Sequence, residues 1–170
     1  MQRLVKPSVR YQRSYLAALA ESRHERQVTK LPRPKGSFTD FVVMYQDMER
    51  GKNLQKGYVP ATMYWLVSGT RFIGWICIRH RLTPRLRTFG GHIGYWIRPS
   101  ERKKGFGTLM LRLGIRKAKA LGIKKILIMC NQSNRGSRRI IEANGGKYLD
   151  VVRPKHHRNT REVRFWIRAS

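Results

Sequence analysis

The chain has 170 residues, 41% of them hydrophobic and 10% aromatic, which fits one globular domain over residues 1–170 with a sizeable core and excludes a disordered chain. Thirty-seven Lys and Arg stand against nine Asp and Glu, a formal charge of +28. That imbalance repels polycationic substrates, leaves few carboxylates for an acidic pocket, and attracts polyanions, nucleic acid above all.

In chain order, residues 11–25 carry helical periodicity through Tyr15, Leu16, Leu19 and Ala20, and "LPRPKG" at 31–36 breaks it. "SFTDFVVMYQDMERG" opens a second helix, capped by Ser37 or Thr39. The β-rich runs 62–67 and 71–80 are joined by "SGT", a hairpin signal, and a further strand, "GGHIGYWIR", ends at Pro99. A strong helix is predicted over 108–121 with a stop at Gly122, and "KKILIMC" reads as a short buried strand. "SNRGSRRIIEANGG" is a capped helix, and the tail gives strands at about 147–152 and 162–168 around a basic loop, "RPKHHRNTR". Trp65, Trp75, Trp96 and Trp166 fall on strands, where core or cleft-wall packing is expected. Cys77 and Cys130 sit in apolar runs as reduced core thiols, and no metal-ligand spacing is present, so no metal is expected. The order implies an α/β (α+β) domain: a mixed sheet of about six to seven strands with helices on both faces. No apolar run approaches the roughly 20 residues of a membrane-spanning helix. The N-terminus lacks the apolar stretch of a signal peptide, so a cytoplasmic location is expected.

The segment "RKKGFGT" (102–108) follows a strand and opens a helix, an arrangement that binds phosphate through successive N–H groups and the helix dipole. Glycines 105 and 107 carry no Cβ to keep a ligand oxygen from the main chain. A Walker loop would need its lysine after the glycines, and a dinucleotide fingerprint would need glycine where Met110 stands. Taken alone, the segment is either an anion cradle or a tight turn into a helix.

The longer run "HIGYWIRPSERKKGFGTLMLRLGIRKAKALGIKKILIMCNQSNRGSRRIIEANGG" resembles the GNAT superfamily of acetyl-CoA-dependent N-acetyltransferases across roughly residues 91–146. "IGYWIRPS" is similar to the branch containing ribosomal-protein N-terminal acetyltransferases. The resemblance implies a splayed parallel strand pair, here 91–98 and 124–130, whose gap takes the pantetheine arm on main-chain groups near Tyr95, Trp96 and Ile97. It further implies a pyrophosphate loop formed by Arg102, Lys103, Lys104, Gly105, Phe106, Gly107 and Thr108, and a second cofactor motif at Asn134 and Ser137.

Acyl transfer needs a neutral amine, a polarised carbonyl and a proton for the leaving thiolate. Freeing a lysine amine at pH 7 costs roughly 4–5 kcal/mol, against about 1 kcal/mol for an α-amine. Many family members place a glutamate before the loop, where this chain has Phe89 and Gly91, and a tyrosine where it has Ile141. His92 is therefore the expected base, with His80 the other nearby titratable group, and Tyr148 or Tyr95 the expected acid. The missing glutamate favours an α-amine acceptor. Two functions remain open: acetyl transfer to a protein N-terminus or an amine on an RNA-rich assembly, or a GNAT-like module bound to ribosomal RNA or tRNA with little or no catalysis.

Overall fold

A computed structural model describes residues 1–23, 25, 30–154 and 160–169, so most of the basic loop expected at 153–161 lies outside the described residues. The expected hairpin is β2 (Ala61–Ser68) and β3 (Arg71–Arg79), antiparallel with Trp65 opposite Trp75. These strands are apolar almost without alternation because helices cover the sheet on both faces. β1 (Gln2–Val5), absent from the sequence reading, adds antiparallel to β2, with Leu4 opposite Leu66. On the far side of β3 come β4 (Ile93–Ile97), β5 (Lys125–Asn131), β7 (Glu162–Arg168) and β6 (Lys147–Val152). All seven strands form one mixed sheet in the order β1-β2-β3-β4-β5-β7-β6, and β4–β5 is its parallel pair.

Two cores follow from the alternation of side chains along the strands. On one face, α4 (Phe106–Ala120) and α5 (Arg135–Glu142) set Met110, Leu111, Ala118 and Ile141 against Ile76, Ile93, Ile128 and Phe165. The other face carries α1 (Gln12–Glu21) and α2 (Phe38–Arg50) in an aromatic cluster centred on Tyr15. Its ring centroid lies 4.9 Å from those of Trp65 and Phe72, 5.6 Å from that of Phe38 and 5.5 Å from that of Phe41. The Tyr15 hydroxyl donates to Pro32 O at 2.7 Å, which satisfies the polar atom of the central ring. Cys130 belongs to the first core, and the half-buried Cys77 packs against the second.

Local chemistry sets the boundaries that differ from the sequence reading. Ser37, not Thr39, caps α2, accepting from Asp40 N at 3.0 Å. The strand expected from residue 90 starts at Ile93 because Gly90 and Gly91 turn the chain with φ +103° and +63°. A short helix, α3 (Pro84–Thr88), was not anticipated, although Thr83 and Pro84 form the familiar cap-then-proline start. The helix predicted from 108 begins at Phe106.

Candidate active site

β4 meets β5 only at the start of β4, against the middle of β5. Ile93 and Ile128 are the one register pair, and His92 N donates to Leu127 O at 2.7 Å. Leu127 N in turn donates to the His92 ring at Nδ1, 2.9 Å away, so a side chain stands in for the next ladder carbonyl. Beyond Ile93 the strands part, and among the described residues no main-chain bond joins Gly94–Ile97 to Met129–Asn131. Arg98 N bonds back to Ile73 O on β3 at 2.8 Å. The two-residue alternation of a strand therefore turns the main-chain groups of Tyr95 and Ile97 toward the gap.

The segment 102–108 crosses the mouth of that gap. Lys103 and Gly105 adopt φ +60° and +79°, and α4 starts at Phe106 without a side-chain cap or an acidic residue in its first turn. Among the described residues, none of the amides from Lys103 to Thr108 donates a hydrogen bond to protein; Leu109 N, to Gly105 O at 3.1 Å, is the first that does. A run of free N–H groups at a positive helix end is the geometry that binds an anion.

The side chains of this segment divide. Arg102 turns away from the amides: Nε donates to Ile97 O at 3.0 Å, the guanidinium pairs with Glu25, and it lies 5.8 Å from the centre of the Trp96 ring. Lys104 pairs with buried Glu101 at 3.2 Å, which also holds Arg71. Lys103 is the exposed cation left without a carboxylate among the described residues. Gly107 serves packing, since a Cβ there would stand 2.5 Å from Ile140 Cδ1 on α5. Phe106 is half-buried against the first core, and Thr108 O accepts from Asn144 Nδ2 at 3.3 Å. Trp96 is buried among the aromatics of the α1–α2 face, with Nε1 on Glu25 at 2.9 Å.

Across the gap, Asn134 spends its side chain capping α5, accepting from Ser137 N at 3.0 Å. The Ser137 hydroxyl meets the Tyr95 hydroxyl at 2.7 Å, and burial raises the Tyr95 phenol above its ordinary range. Cys130 lies beside them, its thiol pushed up to about 11 by burial and therefore neutral at pH 7.

The expected acid–base residues stand differently. His92 is buried, and burial, then the charges of Arg87 and Arg79, lower its pKa to about 4. With Nδ1 accepting from Leu127 N, the neutral ring carries its proton on Nε2, and taking another would break the bond that joins β4 to β5. His80 follows β3 at the end of the sheet where β4 begins, with Nε2 2.8 Å from Thr62 Oγ1. Tyr148 is 61% exposed on β6, with β7 between it and β5, and packs edge-on against Phe165. Of Tyr95 and Tyr148, only Tyr95 faces the gap region.

Glu25 and Glu162 were missed. Nothing in sequence marks Glu25 as the partner of two residues more than 70 positions later. The signal for Glu162 was available: a lone acid opening the apolar strand "EVRFWI". Among the described residues, no three His, Cys, Asp or Glu side chains group as a metal site, and no helix is long and apolar enough to cross a membrane.

No curated protein sequence matches the chain. Among solved structures, Mycobacterium smegmatis RimJ in complex with CoA-disulfide is similar with a TM-score of 0.73 at 15% identity, covering 99% of this chain and 82% of that one. A Salmonella typhimurium acetyltransferase that modifies the N-terminal serine of a 50S ribosomal subunit protein gives 0.70 at 14% identity, covering 98% and 94%. A mutant of Vibrio cholerae spermidine N-acetyltransferase gives 0.63 at 15%, covering 100% and 95%. At such identities the likeness is one of fold. Residues 9–147 match the acetyltransferase (GNAT) domain family model, so the chain belongs to that family and is an acyl-CoA-dependent N-acetyltransferase.

Proposed function

We propose that the chain acetylates a primary amine, the α-amine of a protein N-terminus or an amine held on an RNA-rich assembly such as the ribosome, with acetyl-CoA as acetyl donor. The observation that carries the donor is the run of free amides from Lys103 to Thr108 at the mouth of the β4–β5 gap. These amides take the pyrophosphate, Lys103 supplements their charge, and the main-chain groups of Tyr95 and Ile97 line the way for pantetheine. Arg102 acts from behind by holding Ile97 O and Glu25. Asn134 fixes the start of α5, which sets Ser137 and Tyr95 as the hydroxyl pair nearest the gap for returning a proton to the thiolate. The Nδ1 bond argues against His92 as base, and the intervening strand argues against Tyr148 as acid.

The acceptor is argued from charge. The similar structures include a spermidine acetyltransferase, but a net +28 repels a free polyamine. An α-amine costs only about 1 kcal/mol to deprotonate at pH 7, and a polyanionic assembly offsets the repulsion from a basic substrate. The similar Salmonella typhimurium structure is by its own description an acetyltransferase of a 50S ribosomal subunit protein, which supports a ribosomal acceptor.

Calorimetric titration tests the donor. Acetyl-CoA should bind saturably, and Gly105→Val should weaken it about tenfold, because a β-branched residue at φ +79° is strained by about 1–2 kcal/mol and shifts the amides out of line. Absence of heat at millimolar acetyl-CoA contradicts the reading.

A second reading, attachment to RNA, is favoured by the outer helical layer. Arg112, Arg116 and Lys119 on α4 and Arg135 and Arg139 on α5 are exposed and have no carboxylate partner among the described residues. If this layer binds single-stranded RNA, replacing Arg112, Arg116 and Lys119 together by Gln should reduce the slope of log affinity against log salt by about 2. An unchanged slope would clear this surface of the role.

A further inference from the structure

The chain's nine carboxylates are not used alike. Glu21, Glu25, Glu49, Glu101, Glu142 and Asp150 form ion pairs. Asp40 bonds to Ser37, and Asp47 accepts from Asn53. Glu162 is the exception: only 8% exposed, with no hydrogen bond or ion pair to its side chain among the described residues. A protein with thirty-seven Lys and Arg has cations to spare, and burying a carboxylate without one is costly. Arg164, on the same face two residues along β7, is turned from Glu162 by two bonds to Asp150, at 2.6 and 2.5 Å, and one to Arg87 O at 2.7 Å.

Its position is specific. Glu162 pairs in register with Asn131, three residues beyond Ile128, where β5 last touches β4. It is thus level with Trp96, with β5 and then the open gap between them. Val163, Phe165 and Ile167 face the α4–α5 core, so Glu162 and Asn131 project on the opposite face, shared with Trp96 and Trp75. The free amides at the start of α4 belong to the α4–α5 layer. The carboxylate therefore overlooks the gap from the side opposite the cofactor loop, where an acceptor amine can approach.

We propose that Glu162 is the group that captures the acceptor ammonium and takes its proton. The inference rests on the acetyl-transfer reading above. The ammonium gives one proton to the Glu162 carboxylate, which returns it to solvent between turnovers. The neutral nitrogen forms the C–N bond to the thioester carbonyl carbon, and the C–S bond breaks to leave the CoA thiolate. The second proton shed by nitrogen is matched by the one the thiolate takes up. The net products are amide, thiol and one proton. Burial pushes the Glu162 carboxyl above its ordinary range, which suits a base working near neutral pH. Among the described residues, the facing groups do not neutralise it: Cys130 stays a thiol, Arg164 is engaged by Asp150, and Arg161 is exposed.

The test compares wild type, Glu162→Gln and Glu162→Asp, with a short alanine-initiated peptide as probe amine and acetyl-CoA affinity measured separately. For Glu162→Gln, kcat should fall about a hundredfold at pH 7 and recover toward wild type by about pH 9, where the α-amine supplies its own free base. Acetyl-CoA affinity should not change, and Glu162→Asp should keep part of the rate. An unchanged kcat and pH profile in Glu162→Gln overturns the proposal. If wild type fails to bind acetyl-CoA, the acetyl-transfer reading fails first. If it binds acetyl-CoA but ignores the peptide, carboxyl carbon NMR decides, using the signal lost in Glu162→Gln. Titration above the ordinary range, with a shift on adding methylamine, upholds the amine site; an ordinary titration, or no shift, overturns it.

Discussion

Gly91→Ala is expected to cost about 3 kcal/mol of stability, read as a drop in the denaturation midpoint at unchanged slope. Gly91 holds φ +63°, which costs a residue with a Cβ about 1–2 kcal/mol. The added Cβ would also stand 2.5 Å from Leu127 O and 3.2 Å from Leu127 C, which are main-chain atoms of β5 and cannot rotate away. Forced backbone shifts of this kind add about 1–3 kcal/mol. Leu127 O is also the acceptor for His92 N, one residue before the last β4–β5 pair, so the shift falls at the edge of the gap. The same geometry gives a reason for a departure noted in the sequence: a glutamate at 91 has no room. A cost below about 1 kcal/mol would show that β4 and β5 can separate here without penalty.

Arg98→Met should cost about 2–3 kcal/mol. The guanidinium is buried and clamps α1 to the sheet: Nε reaches Glu21 Oε1 at 2.8 Å, Nη2 meets the same oxygen, and Nη1 lies 3.3 Å from Ser14 Oγ and 3.4 Å from Phe72 O. Breaking a buried pair by removing one partner costs about 3–5 kcal/mol where the other charge stays buried. Glu21 keeps 31% of its side chain in water, which places this loss lower. The hydrogen bond from Arg98 lowers Glu21 from 4.5 to about 2. A depressed carboxylate pKa contributes stability that is present above about 4.5 and lost as pH falls toward 2. The variant should therefore lose most at pH 7 and approach wild type in acid. An equal deficit at pH 7 and pH 2.5 would assign the cost to packing rather than to the pair.

What sequence carried was local. The loop at 102–108 announces itself through two glycines and a helix start, and the β2–β3 hairpin through two β-rich runs and a turn. Direction was not legible. Arg102 sits in the loop but is drawn to the far side by Glu25 on the α1 side, a partner supplied only by folding. His92 precedes the loop by ten residues, yet its ring is consumed in joining two strands. The order β5-β7-β6 was equally hidden: it separates Tyr148 from the gap and brings Glu162 beside Asn131. β1 escaped because four residues, "QRLV", gain strand character only from a partner 60 or more residues away.

The central claim is that free amides from Lys103 to Thr108 receive the pyrophosphate of acetyl-CoA, and amide NMR tests it most directly. On titration with acetyl-CoA, the N–H signals of these six residues should move together and downfield to saturation, those of α2 staying fixed. Binding that leaves these six signals unmoved, or no binding at millimolar acetyl-CoA, would contradict the account.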